Sequence, residues 1–140
     1  TISVTEDEVL GIGGENLEGF YSAMKYFQSL KNSNNDKFVA EFKKAYGEKA
    51  VIGDVTQAAY LGPWLWKAAV ERAGSFDVDK AVAALPGYEL TTAPEGYVKV
   101  DPNHHLLSKL RIGQWRKDGQ ADMVYESGLI NPDPFPKGYQ

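Results

Sequence analysis

The 140-residue chain carries 15 Lys and Arg against 19 Asp and Glu, a formal net charge of -4, so it lacks the positive field that draws a protein onto a phosphate backbone. Nucleic acid is excluded as an expected partner. Its 43% hydrophobic and 24% charged residues match ordinary globular usage, it has no cysteine for disulfides, thiolate metal sites or nucleophilic chemistry, and no apolar run approaches the roughly 20 residues that span a bilayer.

Thr1-Ile2-Ser3-Val4 is short, β-branched and alternating and runs directly into Thr5-Glu6-Asp7-Glu8, in which Thr5 and Glu8 have the spacing of a capping box. The pattern predicts a strand end feeding a helix N-terminus. A strand this short at residue 1 is expected to find its sheet partners upstream in a longer parent, where an export leader would also lie. The glycines at 11, 13 and 14 read as a helix stop, because no Gly-Lys-Ser/Thr follows as a phosphate loop requires. The aromatics between Gly19 and Phe27 fit neither a strand nor a short helix cleanly, and the strand is preferred.

Ser33-Asn34-Asn35-Asp36 offers caps for a helix in which Phe38, Phe42 and Tyr46 repeat at i, i+4 and i+8 before Gly47. A second helix starts at Asp54 and runs to Gly74, with Pro63 expected to kink it. A third follows Asp77 and ends at Leu85, ahead of Pro86-Gly87. From Tyr88 the period falls to two: a strand at 97–100, another at 110–116, a Lys117-Asp118-Gly119-Gln120 turn and a return strand at 123–125. Three prolines among Asn131–Pro136 predict an extended tail over residues 128–140.

The residues suggest no reaction. His104 and His105, read as neighbours on a strand, would point to opposite faces and have no patterned acid beside them for a metal. Ser3 and Ser22 lack a Gly-x-Ser-x-Gly elbow or a neighbouring base. The acids at 6, 7 and 8 are explained by the helix dipole, and Tyr60, Trp64 and Trp66 form an aromatic stripe of the kind that usually packs in a core. Nothing in the chain calls for a cofactor or a metal.

Five stretches carry a family pattern: Ser3-Val4-Thr5-Glu6-Asp7-Glu8-Val9; Ala58-Ala59-Tyr60 with Trp66-Lys67-Ala68-Ala69-Val70; Ala93-Pro94-Glu95-Gly96-Tyr97-Val98-Lys99-Val100; Asn103-His104-His105 with Arg111-Ile112-Gly113; and Asn131-Pro132-Asp133-Pro134-Phe135. In this order and spacing, the chain resembles the last third of urea- and amide-binding proteins, within the branched-chain-amino-acid-binding group of type I periplasmic binding proteins. It departs from the pattern at Pro63 and lacks the first two thirds.

The resemblance implies an α/β fold, the C-terminal part of a two-lobed binding protein with pieces of both lobes over residues 1–140 and a late antiparallel hairpin. It also implies capture of urea or a short-chain amide in an interlobe cleft, delivery to an ABC permease, and a periplasmic or extracellular lipoprotein location. A planar amide needs acceptors for its N–H groups and donors for its carbonyl. On this reading the ligand-binding candidates are Ser3, Val4, Thr5 and Glu6 at the strand-to-helix step, with Tyr60 dependent on the other lobe. Glu6 either accepts from a ligand nitrogen or only answers the helix dipole from the solvent side. A cytoplasmic amide sensor of the same fold is the alternative function. An amidohydrolase is the enzyme alternative, disfavoured by the absent nucleophile and metal spacing. A part of a two-lobed protein is also expected to self-associate through apolar surface left uncovered.

Overall fold

The computed structural model describes residues 1–138. Its elements are α1 (Glu6–Ile12), α2 (Gly14–Leu17), β1 (Tyr21–Met24), α3 (Ser33–Tyr46), α4 (Asp54–Ala73), α5 (Val78–Ala84), β2 (Glu89–Leu90), β3 (Val98–Val100), β4 (Leu106–Trp115) and β5 (Ala121–Ile130). All strand pairings are antiparallel, and β4 organises them by pairing with β1, β3 and β5. Because β1 and β5 both pair with residues 111–114, they flank β4 on opposite edges. Among the described residues no helix is long and apolar enough to cross a membrane.

The local chemistry explains the helix ends. Thr5 caps α1 in a complete capping box with Glu8, as its spacing predicts. The cap of α3 is Asn32, one residue ahead of the expected cluster, and its side chain accepts from the Asn35 N–H. Gly47 and Gly74 end α3 and α4, and α4 is assigned as one helix through Pro63. Asp77 caps α5.

Four expectations need correction. Residues 1–4 form no strand. Thr1 takes both available bonds to β1, its amino group donating to the Tyr21 carbonyl at 2.9 Å and its own carbonyl accepting from the Ala23 N–H at 2.8 Å. Beyond it the Ser3 N–H turns back to the Thr1 hydroxyl, which breaks the ladder. His104 and His105 lie in the turn between β3 and β4, with His104 at a φ of 66° and the Asn103 carbonyl oxygen of the side chain accepting from the His105 N–H. The late strands are longer than expected: β4 begins at Leu106, and β5 continues to Ile130, so the first three residues of the expected tail belong to the sheet. Residues 131–138 have neither helix nor strand, and positions 139 and 140 lie outside the described residues. Finally, α2 and β2 carry too few residues for a periodic signal.

The principal core joins Val9, Met24, Tyr26, Phe27, Leu30, Ile52, Trp115 and Ala121. Phe27 packs its ring 5.9 Å from that of Trp115 and lies against Gly113, where a Cβ would come within 2.7 Å of the ring. A side chain at 113 would displace the aromatic that closes the sheet face. Ser22 on β1 ties this region together. Its buried hydroxyl donates to the Val4 carbonyl at 2.8 Å and accepts from the Trp115 indole N–H at 2.9 Å.

Ser22→Ala leaves that indole N–H buried without an acceptor, so it is expected to lower unfolding stability by about 1–3 kcal/mol. Urea denaturation with an unchanged m-value and a lower midpoint is the expected record.

Candidate functional site

Between β1 and α3 the backbone leaves the sheet, and residues 25–32 form neither helix nor strand. Tyr26 and Phe27 are nonetheless fully buried. Buried backbone polar groups must find partners, and side chains from three helices supply most of them. The Tyr26 N–H donates to Asp54 Oδ1 at 2.9 Å, and the Gln28 N–H donates to Glu6 Oε1 at 2.7 Å. Asn35 Nδ2 donates to the carbonyls of Gln28 and Leu30 at 2.9 and 2.8 Å, while Asn35 Oδ1 accepts from the Tyr26 hydroxyl at 2.7 Å. Gln28 Oε1 accepts from the Ile52 N–H at 2.8 Å, and the Ser29 hydroxyl donates to the Ala121 carbonyl at 2.6 Å. This strap is therefore fixed by side chains instead of a strand ladder.

The starts of α1 and α4 meet beside the strap. Asp7 Oδ2 accepts from the Gly53 N–H at 3.1 Å and from the Thr56 hydroxyl at 3.4 Å. Gly53 has no room for a side chain, since a Cβ there would strike the Thr5 hydroxyl and stand 2.5 Å from Asp7 Oδ2. Glu6 faces inward and is 1% exposed, and its Oε2 is buried with no hydrogen-bond partner among the described residues. Burial pushes the Glu6 carboxyl up to about 7; the Gln28 N–H opposes that shift, and the charges of Asp7 and Asp54 add to it. The same burial, followed by the nearby Glu6 charge, raises the Tyr26 phenol above its ordinary range.

A second polar cluster holds the near end of the strap. Lys25 Nζ reaches both Gln57 Oε1 and Glu95 Oε1 at 3.0 Å, and Gln57 Nε2 lies 3.4 Å from the same carboxylate oxygen. Arg111 is almost fully buried on β4. It donates to the Lys25 carbonyl, to the Glu95 carbonyl at 2.9 Å and to Glu126 Oε2 at 2.7 Å. Glu95 Oε2 is buried without a partner, as Glu6 Oε2 is.

The structure brings Ser3, Val4, Thr5 and Glu6 together at the start of α1, but with different exposure. Ser3 is exposed, Val4 is half-buried, and Thr5 and Glu6 are buried. Thr5 is engaged as a cap, and Glu6 points toward the strap, which corrects the solvent-side reading of Glu6. Tyr60 lies elsewhere, 40% exposed and stacked 4.4 Å from Phe38. It shares with Phe42, Tyr46, Leu61 and Trp64 an aromatic groove of about 640 Å³ between α3 and α4. The expected aromatic stripe is thus half surface: Trp64 and Trp66 are each nearly half exposed. Sequence reasoning passed over Asp54, Asn35, Gln57, Glu95 and Arg111. Glu95 and Arg111 stood only within the family stretches, and Asp54, Asn35 and Gln57 read as helix-start or solvent-facing residues of amphipathic helices. Among the described residues no group of three or more His, Asp or Glu is placed to hold a metal.

Gly53→Ala is expected to destabilise the chain by about 1–3 kcal/mol, because it overpacks the α1–α4 junction. Thermal unfolding that matches the parent chain would show that the junction yields without cost.

Residues 1–140 match the periplasmic binding protein domain family. The chain is 38% identical over 117 residues to a protein named limonene hydroxylase from Geobacillus stearothermophilus, covering 83% of this chain and 21% of that protein. It is 31% identical over 116 residues to Leu/Ile/Val-binding protein homolog 6 of Brucella abortus, covering 81% and 30% of the two. A solute-binding protein of an ABC transporter from Rhodopseudomonas palustris HaA2, solved in complex with p-hydroxybenzoic acid, superposes with a TM-score of 0.74 at 28% identity, covering 94% of this chain and 36% of that one. A leucine-binding protein from Thermotoga maritima superposes with a TM-score of 0.68 at 26% identity, covering 91% and 35%. The chain therefore spans about a third or less of the length of these relatives. With the family matched from end to end and the α/β fold shared, this chain belongs to the periplasmic binding protein domain family.

Proposed function

We propose that the chain serves solute capture, as part of an ABC-transporter solute-binding protein that takes urea or a short-chain amide. The observation that carries the transport reading is the end-to-end family match, joined to the likeness to solute-binding proteins over nearly the whole chain. The amide assignment rests on the ordered motifs from Ser3 to Phe135. On this proposal the exposed Ser3 hydroxyl and the N–H of Val4 meet the ligand carbonyl, Thr5 holds the start of α1 as its cap, and Glu6 sets the position of α1 from behind. Tyr60, in the α3–α4 groove, is not among these contacts. A permease partner and a periplasmic or extracellular lipoprotein location belong to the same proposal. The hydroxylase name belongs to a protein of which this chain covers 21%.

A second reading is capture of a small aromatic carboxylate. The complex of the Rhodopseudomonas palustris HaA2 protein with p-hydroxybenzoic acid favours it. Backbone NMR separates the two. Acetamide is expected to shift the Ser3, Val4 and Thr5 amides with a dissociation constant in roughly the millimolar range, since a site drawn from a third of the relatives' length bears the full ordering cost with few contacts. Shifts from p-hydroxybenzoate alone would select the second reading. An absence of shifts with both at about 50 mM, far above the affinities that protein sites reach, would contradict ligand contact at these residues.

The aromatic groove also supports self-association. Its Tyr46 and Trp64 are 73% and 46% exposed, and exposed apolar surface of this kind is normally covered. Sedimentation coefficients that rise with protein concentration are expected, and values independent of concentration would count against it.

A further inference from the structure

Glu6 is a buried acid with one oxygen committed and one free. Its Oε1 accepts from the Gln28 N–H, while its Oε2 has no donor among the described residues. The titratable groups that act on it are acidic from every side. Asp7 comes from its own helix, Asp54 from the start of α4 and Tyr26 from the strap. Glu8 on α1 is occupied by the Thr5 hydroxyl and N–H. Lys25, the cation nearest in sequence on the strap, is held by Gln57 and Glu95. A carboxylate placed there has no counter-charge, whereas a carboxylic acid fits with its proton on Oε2.

We propose that Glu6 is a proton-operated latch on the strap formed by residues 25–32: protonated, it holds the Gln28 N–H in a dry contact, and ionised, it draws water in and loosens the strap. Asp54 makes the latch sharper. It anchors the Tyr26 N–H two residues away, so ionisation of Glu6 sets two negative charges against one short stretch of backbone. The burial that raises the Glu6 carboxyl to about 7 places the transition near neutral pH. The sign follows from linkage. The folded value lies above the ordinary value of 4.5, so the stabilising contribution is complete below about 4.5 and is lost as pH rises through about 7. The latch works whether or not the solute-capture reading holds.

The test is amide hydrogen exchange on the whole chain, corrected for the intrinsic base-catalysed rate. Gln28 protection is expected to fall about tenfold between pH 6 and pH 8, the change that these folded and ordinary values produce by linkage. In Glu6→Gln, whose amide oxygen still accepts from Gln28, the fall is expected to vanish. In Asp54→Asn, which removes a negative charge that raises the Glu6 carboxyl, the fall is expected to move to lower pH. Constant Gln28 protection in the parent chain, or the same fall in Glu6→Gln, would overturn the latch. Carbon-13 titration of the Glu6 carboxyl in the unmodified chain gives an answer independent of any variant: a midpoint near 7 supports the proposal, and one near 4.5 overturns it.

Discussion

The structure depends on a backbone segment that is buried without a ladder to bury it in. Tyr26, Phe27 and Leu30 enter the main core from residues 25–32, and carrying them there desolvates amides and carbonyls that no strand satisfies. Three side chains answer most of that demand: Glu6 from α1, Asp54 from α4 and Asn35 from α3. Each sits in the first turn of its helix. The starts of all three helices are thus fixed relative to one another through the strap, and the polar anchors exist because the aromatic anchors are buried.

The arrangement also explains why two carboxylates are left with a spare oxygen. Glu6 and Glu95 each use one oxygen on the strap or on Lys25, and the other is enclosed by the same packing. Glu95 has Lys25 as a counter-charge at 3.0 Å; Glu6 has Asp7 and Asp54. Two chemically alike groups that hold one segment therefore sit in opposite electrostatic settings.

Much of the fold was legible where a residue's task was local. The Thr5–Glu8 box, the Phe38–Phe42–Tyr46 spacing, the Gly47 stop and the Lys117–Gln120 turn each declare themselves within a few residues, and the structure keeps them. The failures share a cause. The strand expected at residues 1–4 depends on where β1 ends, and the full lengths of β4 and β5 depend on partners distant in sequence. In the candidate site, Glu6 looked like a helix-dipole acid because sequence shows its position in the first turn and not the burial of its side chain. Asn35 looked like a spare cap for the same reason. Arg111, on an alternating strand, gave no sign that it would be the donor joining β4 to both Lys25 and Glu95. Tyr60 was legible as a member of an aromatic stripe, but not as lining a groove remote from Ser3.

A double-mutant cycle between Glu6→Ala and Asn35→Ala tests most directly whether the strap is one cooperative unit held by side chains. The two residues bond opposite sides of Gln28, its N–H and its carbonyl, without bonding each other. Removing either is expected to free Gln28, so the two losses in denaturation free energy should fall short of additivity by roughly 0.5–3 kcal/mol. Losses that sum to within about 0.3–0.5 kcal/mol would mean that the anchors act separately, and the account of the strap would fail.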